Sequence, residues 1–428
     1  KIRLDTQKLY SLFNSCSGVS IDTRKINKDE MYFSLKGDNF DGNVFAMEAI
    51  EKGARFSIVD DLEQKDIHDN IFYVENSLKA LQDLSNHHRS LFDTKVIGIT
   101  GSNGKTTTKN LIYSILSQKY NVIKTKGNLN NHIGVPLSLL NIKDDIDVAI
   151  IEMGANHVGE IKRLCEIAMP DIGLITNYGY AHLEGFGSFE GVIKGKTEMY
   201  DYLTENYGHI ILNNDDRLQV ENCKGDLAVT FGSGKDSEFI FDYKKDNSSL
   251  KLKIDGYEFN SNLFGEYNFS NLASSITIGK FLDLSNKEIQ EGLNKFLNDS
   301  NRSEILIFDS NKIYLDAYNA NPTSMLAAIS NFENININNR VLILGDMFEL
   351  GEYSDQEHQK IVDFVMNKDY SKVYLVGDNF LKCNTDGEYF FKFSNTDELA
   401  QSDSFKSLKN MNILVKGSRG VSLEKLFK

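Results

Sequence analysis

The sequence predicts an α/β protein built from three domains. Three observations carry this. The chain has 428 residues, and at roughly 150 residues per domain that is about three. Short apolar runs of strand length alternate with helical patterns, the texture of parallel sheets covered by helices. The texture also changes twice, near residues 92 and 300, giving segments 1–92, 93–300 and 301–428.

The first segment mixes short strand-like runs with helical pieces. The runs are Met31–Leu35, Phe56–Val59 and Ile71–Val74. The second opens with a buried strand, Lys95–Thr100, then a Gly-rich turn and a helix with Leu111, Ile112, Ile115 and Leu116 on one face. Further buried strands are expected at Val148–Glu152, Ile172–Thr176 and Ile210–Asn213. Phe239–Lys244 and Leu250–Ile254 alternate around Asp246–Ser249 and predict a hairpin of a small antiparallel sheet. The third segment repeats the α/β texture, with strands at Ile313–Ala317, Val341–Gly345, Lys372–Gly377 and Asn412–Lys416. The Asn-rich stretch Asn331–Asn339 reads as a loop.

Composition narrows the partners. The net charge of −14 argues against a general nucleic-acid binder, because a phosphate backbone needs a positive field. A local basic pocket for one anionic ligand is compatible with it. Cys16, Cys165, Cys223 and Cys383 form no C-x-x-C pair, so neither a zinc site nor a disulfide framework is expected. No apolar run approaches the ~18 residues of a membrane span, and Lys1–Asp5 lacks the apolar core of a signal peptide. A cytoplasmic protein is expected.

The strongest local signal is Thr100-Gly101-Ser102-Asn103-Gly104-Lys105-Thr106-Thr107, set between a strand and a helix as a phosphate loop requires. Gly101 and Gly104 let the backbone approach phosphate oxygens. Lys105 reaches the β- and γ-phosphates, and the Thr106 hydroxyl suits Mg²⁺. The strict pattern would need Gly at position 99, where this chain has Ile99. The loop alone does not choose between kinase, GTPase, ATPase and ligase, although no N-K-x-D base-reading motif is present.

Other motifs decide. Gly127–Pro136, Glu152-Met153-Gly154-Ala155, Asn177–Glu184, Lys194-Gly195-Lys196, Gly265–Asn268 with Asn271, Arg302 and Asp316–Pro322 follow the phosphate loop in order. Together they resemble the Mur ligases, the amide-forming enzymes of peptidoglycan precursor synthesis. The resemblance covers nearly the whole chain. Asp316–Pro322, Leu344–Gly351 and Lys416–Gly420 bring it closest to the MurF type, which adds D-alanyl-D-alanine to a UDP-linked tripeptide, and Ile21–Arg24 resembles that type's UDP-sugar-binding start.

The resemblance implies a small N-terminal UDP-binding domain, a central phosphate-loop ATPase domain and a C-terminal Rossmann-like domain. It implies an ATP-dependent ligase acting through an acyl phosphate, with UDP-N-acetylmuramoyl-tripeptide, D-Ala-D-Ala and ATP as small-molecule partners, working as a monomer. Another ligase of the superfamily, such as a different Mur ligase or folylpolyglutamate synthetase, is the alternative. Glu152 is implied as an Mg²⁺ ligand beside Thr106, and His182 as a ligand of a second Mg²⁺. From residue type alone His182 would be an ordinary core or loop histidine. Lys196 matches a lysine that CO₂ converts to an anionic carbamate, with Lys194 two residues away as its competitor. Asn131, with Asn130 and His132 in the same run, is implied to orient the reacting groups. Asn268 and Asn271 would bracket the adenine, Arg302 the phosphates and Asp316 the ribose, with Tyr318 and Asn319 flanking the nucleotide. Thr23 and Arg24 would meet the uridine diphosphate. Asp346, Glu349 and Arg419 would meet the D-Ala-D-Ala ends.

Overall fold

The computed structural model describes residues 4–244, 250–263, 265–297, 304–366 and 368–427. Lys1–Arg3, the Asp246–Ser249 turn and Arg302 lie outside the described residues.

Three α/β units follow one another. The first is a four-stranded parallel sheet in the order Val19–Ser20, Met31–Phe33, Phe56–Val59, Ile71–Tyr73. Helix Ser77–Ser90 closes it, started by the Asn76 side chain accepting from Lys79 N. Leu81 and Leu84 of this helix are buried in a cluster with Met31, Phe33 and Ile58.

The central unit holds seven parallel strands in the order Phe239–Ile240, Ala228–Gly232, His209–Asn213, Ile172–Ile175, Lys95–Thr100, Val148–Glu152, Val122–Lys124. Its middle strand is a continuous apolar run because both faces are covered. Helix Lys105–Leu116 covers one of them with Leu111, Ile112, Ile115 and Leu116, each 0% exposed, and each such burial stabilises by about 1.5–3 kcal/mol. The chain leaves Lys95–Thr100 for Val122–Lys124 and Val148–Glu152 on one side, then crosses to Ile172–Ile175 on the other. Open α/β sheets place ligands at such a crossover, outside the carboxyl ends of the strands.

The third unit is six-stranded, in the order Glu304–Phe308, Asn311–Asp316, Asn412–Lys416, Arg340–Gly345, Lys372–Val376, Phe390–Phe393. All pairs are parallel except the first.

Two expectations are corrected. Phe239–Lys244 is not one hairpin arm. Phe239–Ile240 joins the edge of the central sheet in parallel, and only Asp242–Lys244 pairs antiparallel with Lys251–Ile254. Phe241 between them is buried, which anchors the switch from one sheet to the other. Asn331–Asn339 is not wholly a loop, because helix Pro322–Asn334 runs into it. Pro322 at the helix start and the Asn321–Ser324 capping box begin that helix firmly, and buried Phe332 carries it on.

Candidate functional site

The phosphate loop is braced from the neighbouring strand end. Ser102 N donates to Asn177 O at 3.0 Å, Asn103 N to Asn177 Oδ1 at 3.0 Å, and Thr176 Oγ1 to Asn103 O. Gly101 has φ +140° and Gly104 φ +81°, conformations that side-chain-bearing residues rarely adopt. Lys105 Nζ lies 2.7 Å from Gly101 O, curled over its own loop. Behind the loop, Asn271 Oδ1 accepts from Thr108 Oγ1 at 3.1 Å, and Asn271 Nδ2 donates to Asn268 Oδ1 at 2.9 Å. Both asparagines are buried, and Asn271 packs directly against Gly104.

Glu152, at the end of its strand, is 2% exposed and held on both oxygens. Oε2 accepts from Thr106 Oγ1 at 3.1 Å and pairs with Lys109 Nζ at 2.9 Å. Oε1 accepts from Asn130 Nδ2 at 2.9 Å. Burial opposes its charge, but Lys109 and Lys105, with hydrogen bonds from Lys109 and Asn130, outweigh it and hold the carboxyl below its ordinary range. Lys196, on helix Phe189–Glu205, is 1% exposed and sits 5.3 Å from the Phe186 ring centroid. Burial, reinforced by the Lys105 charge, pushes its amine well below the ordinary lysine range.

Sequence reasoning missed Lys109. It lies one helical turn beyond Lys105, and that i, i+4 spacing on one face was the available signal. Asn131 stands differently from Asn130. Its Oδ1 accepts from Ile133 N and Gly134 N at 3.1 and 2.9 Å, so it shapes its own turn while Asn130 meets Glu152.

A cavity of about 590 Å³ opens beside this cluster. Lys105, Asn130, Asn131, His132, Arg163 and His182 line it. So does Gln82 of helix Ser77–Ser90, which donates to His132 O at 3.0 Å and accepts from Arg163 at 3.0 Å. The first unit thus walls a cavity whose floor belongs to the second.

The third unit closes from the other side. Asn321 Nδ2 donates to Asn103 Oδ1 at 2.7 Å, and Tyr180 N to Thr323 Oγ1 at 2.9 Å. His182 Nδ1 pairs with Glu349 Oε2, and that hydrogen bond holds the Glu349 carboxyl below its ordinary range. His182 and Glu349 are therefore brought together. Asp316 pairs with the buried Lys416 at 2.6 Å, which also reaches Asn319 O at 3.4 Å, and Arg419 stacks over Tyr318 at 5.5 Å.

Asp346 stands apart from these contacts. It is 3% exposed, and its carboxylate accepts from Asn379 N and Phe380 N at 2.9 and 3.0 Å, bracing a helix start rather than facing the cavity lining. In the first unit, Thr23 Oγ1 donates to Glu48 Oε1 at 3.3 Å. Arg24 makes a bidentate pair with Asp22 at 2.9 Å on both oxygens. The Arg24 hydrogen bond lowers the Asp22 carboxyl to about 2.

The Asn103–Asn321 pair makes a prediction. Asn321→Ser keeps an oxygen to cap helix Pro322–Asn334 but removes the amide donor reaching Asn103. One hydrogen bond contributes about 0.5–1.5 kcal/mol, so the KM for ATP should rise by roughly 3- to 10-fold. Steady-state kinetics beside a melting curve checks this, with Tm expected within about 3 °C of wild type.

The oxygen donors suit a hard cation. Thr106 Oγ1 and Glu152 Oε2 are adjacent, and Glu152 is held ionised. Among the described residues no three His, Cys, Asp or Glu side chains converge on one point. A two-oxygen half-site matches Mg²⁺, which is commonly shared between one or two protein groups and a nucleotide's phosphates.

Comparison with known proteins gives the family and the fold. Residues 15–89 match the description "Mur ligase family, catalytic domain", 99–279 "Mur ligase middle domain" and 301–419 "Mur ligase, glutamate ligase domain". The UDP-N-acetylmuramoyl-tripeptide--D-alanyl-D-alanine ligase of Bacillus subtilis is 33% identical, over 96% of this chain and 92% of that protein. The ligase of the same name from Escherichia coli is 33% identical, over 95% and 92%. Among solved structures, MurF from Acinetobacter baumannii superposes with a TM-score of 0.87 at 27% identity, covering 99% of this chain and 98% of that one. The MurF ligase of Thermotoga maritima in complex with ADP gives 0.84 at 26% identity, covering 97% and 96%.

Proposed function

Because the chain belongs to the Mur ligase family, we propose that it joins D-alanyl-D-alanine to UDP-N-acetylmuramoyl-tripeptide with ATP, in peptidoglycan precursor synthesis. It is an ATP-dependent ligase forming a carbon–nitrogen bond, with a three-domain α/β fold. The carrying observation is the position of the ionised Glu152 beside Thr106 and Lys105, at a cavity walled by the N-terminal unit and reached by Glu349 of the C-terminal one. We assign the domains to residues 1–92, 93–300 and 301–428, binding the UDP-linked substrate, ATP and the dipeptide respectively.

A carboxylate is a poor acyl donor, so the reaction takes two steps. A terminal carboxylate oxygen of the tripeptide attacks the γ-phosphorus, the bond to the β–γ bridging oxygen breaks, and ADP leaves with that electron pair. The dipeptide amine then attacks the acyl carbon, phosphate leaves, and the amine's proton is lost as the amide forms. Both steps concentrate negative charge on crowded oxygens, and Lys105 is the fixed cation nearest them. Thr106 and Glu152 would hold Mg²⁺, which when bound supplies further neutralising charge. His182 and Lys196 are the candidates for a second ion. Only a neutral amine adds to CO₂, and the burial that discharges Lys196 supports its carbamylation to an anionic oxygen donor. The Gly101–Thr107 loop cradles the phosphates, and Asn268 and Asn271 support it from behind. Asp316, Tyr318, Asn319 and Arg302 are assigned to the nucleotide, Thr23 and Arg24 to the uridine diphosphate, and Glu349, Arg419 and Asp346 to the dipeptide side. Asp346 would act there through the helix start it braces.

No helix among the described residues is long and apolar enough to cross a membrane. Use of ATP and a UDP-linked precursor supports a cytoplasmic reaction. We propose a monomer as the working unit, supported by every assigned residue coming from a single chain.

The test is phosphate release with ATP, Mg²⁺, the UDP-linked tripeptide (carrying L-lysine or diaminopimelate) and D-Ala-D-Ala, omitting each in turn. Release is expected only with all components present. Release that proceeds without the dipeptide, or only with glutamate in its place, would overturn the assignment in favour of another ligase of the superfamily.

A further inference from the structure

Lys109 is a buried cation that the reaction as written does not use. It lies on helix Lys105–Leu116, one turn beyond Lys105, and is 2% exposed. Its Nζ pairs with Glu152 Oε2 at 2.9 Å and donates to Gly127 O at 3.2 Å. One ammonium thus ties together the phosphate-loop helix, the strand-end carboxylate and the start of the loop that carries Asn130 and Asn131 to the cavity.

The grip on Glu152 has a geometric consequence. An ionised carboxylate offers about four lone-pair positions. Thr106 and Lys109 take Oε2, and Asn130 takes Oε1. A cation shared with the nucleotide would take a lone pair of the Thr106 hydroxyl, which can still donate its proton to Oε2. Lys109 and Asn130, which would not be drawn on by the cation, set the plane of the carboxylate from its two oxygens. Asn130 supplies a neutral amide, so of these two only Lys109 also balances the buried charge, to which Lys105 contributes as well. Gly127, at φ +54°, offers the carbonyl that keeps the ammonium in place.

We propose that Lys109 is a positioning residue that fixes Glu152 for the divalent cation shared with the nucleotide, and that it touches neither phosphate nor acyl acceptor itself. This rests on the reading of Glu152 as the cation's ligand. Partners in contact with a metal ligand commonly change metal affinity by about 10- to 100-fold when removed.

The experiment is titration calorimetry of ADP into wild type and Lys109→Met, with and without Mg²⁺, alongside the Mg²⁺ concentration giving half-maximal phosphate release. The expected result is a loss of at least about 10-fold in the Mg²⁺ enhancement of ADP binding, with Mg²⁺-free ADP affinity within about twofold of wild type. An unchanged or larger enhancement would overturn the proposal, since Lys109 would then be a bystander or a competitor of the cation. Removing one member of a buried pair can unfold a protein, whereas neutralising both is tolerated better. Glu152→Gln is therefore compared with Glu152→Gln/Lys109→Met. Equal ADP affinities in that pair support action through Glu152, and a further loss on adding Lys109→Met would show direct nucleotide contact and overturn it. If wild-type ADP binding ignores Mg²⁺, the ligand reading of Glu152 falls and takes this inference with it.

Discussion

Lys196→Met should lower the kcat of ligation by about 100- to 1,000-fold while leaving ADP binding within a few-fold of wild type. Methionine matches the length and apolar stem of lysine, so the packing beside Phe186 is preserved, and an uncompensated buried amine is removed. The fold should be no less stable, because a charge in that site is opposed by burial and by Lys105. On the proposed carbamylation, what is lost is the atom that would take up CO₂ to become an anionic donor. Losing one preorganised charge-stabilising group costs on the order of 100- to 1,000-fold in kcat. Single-turnover phosphate release and ADP calorimetry separate the two effects. The same reading predicts that wild-type activity falls in CO₂-depleted buffer and returns with bicarbonate. A Lys196→Met enzyme with normal kcat would transfer the role to Lys194, the exposed lysine two residues earlier.

The two lysines illustrate what sequence carries and what it does not. Lys194-Gly195-Lys196 offers two chemically equal candidates, and spacing alone does not separate them. Helix Phe189–Glu205 does, because two positions on a helix differ by about 200° and face opposite sides, leaving Lys196 buried and Lys194 exposed. Long apolar runs were legible in the same way. Lys95–Thr100, Val148–Glu152 and Asn412–Lys416 form strands with the expected bounds, since burial on both faces makes their interior a continuous apolar run with polar residues only at the ends.

The strands that escaped notice are short or at edges. Glu304–Phe308 and Phe390–Phe393 flank the C-terminal sheet and are at most half-buried. They are fixed by pairing with one neighbouring strand, Asn311–Asp316 and Lys372–Val376 respectively, not by their own composition. The site divides along the same line. Local motifs announced Lys105, Thr106 and Glu152. The contacts that complete the site, Lys109 to Glu152, Asn321 to Asn103 and Glu349 to His182, each join segments separated in sequence. Asp346 enters through the family resemblance alone, and its contacts with the backbone of another helix start are not legible in the sequence.

Gly101→Ala should damage the enzyme more than any other single methyl group added to the phosphate loop. At φ +140° the backbone there excludes ordinary side chains. The added carbon would lie 1.9 Å from Thr176 Oγ1 and 2.9 Å from Thr176 N. The hydroxyl can rotate away, but the backbone nitrogen belongs to a strand end that donates to Thr100 O at 2.9 Å. Either the loop or the strand end must move, and both position the phosphate cradle. The expected outcome is a rise of at least about 100-fold in the KM for ATP, the scale of loss that a ~1 Å misplacement produces, together with a lower Tm. Gly256→Ala is the matched control. Gly256 also has positive φ, at +80°, but nothing lies within 4 Å of an added carbon, and it is not among the residues lining the cavity. It should lose only about 1–2 kcal/mol of stability from backbone strain, with ATP kinetics unchanged. Equal effects of the two variants on KM would mean that backbone conformation, and not the contact with Thr176, governs the loop.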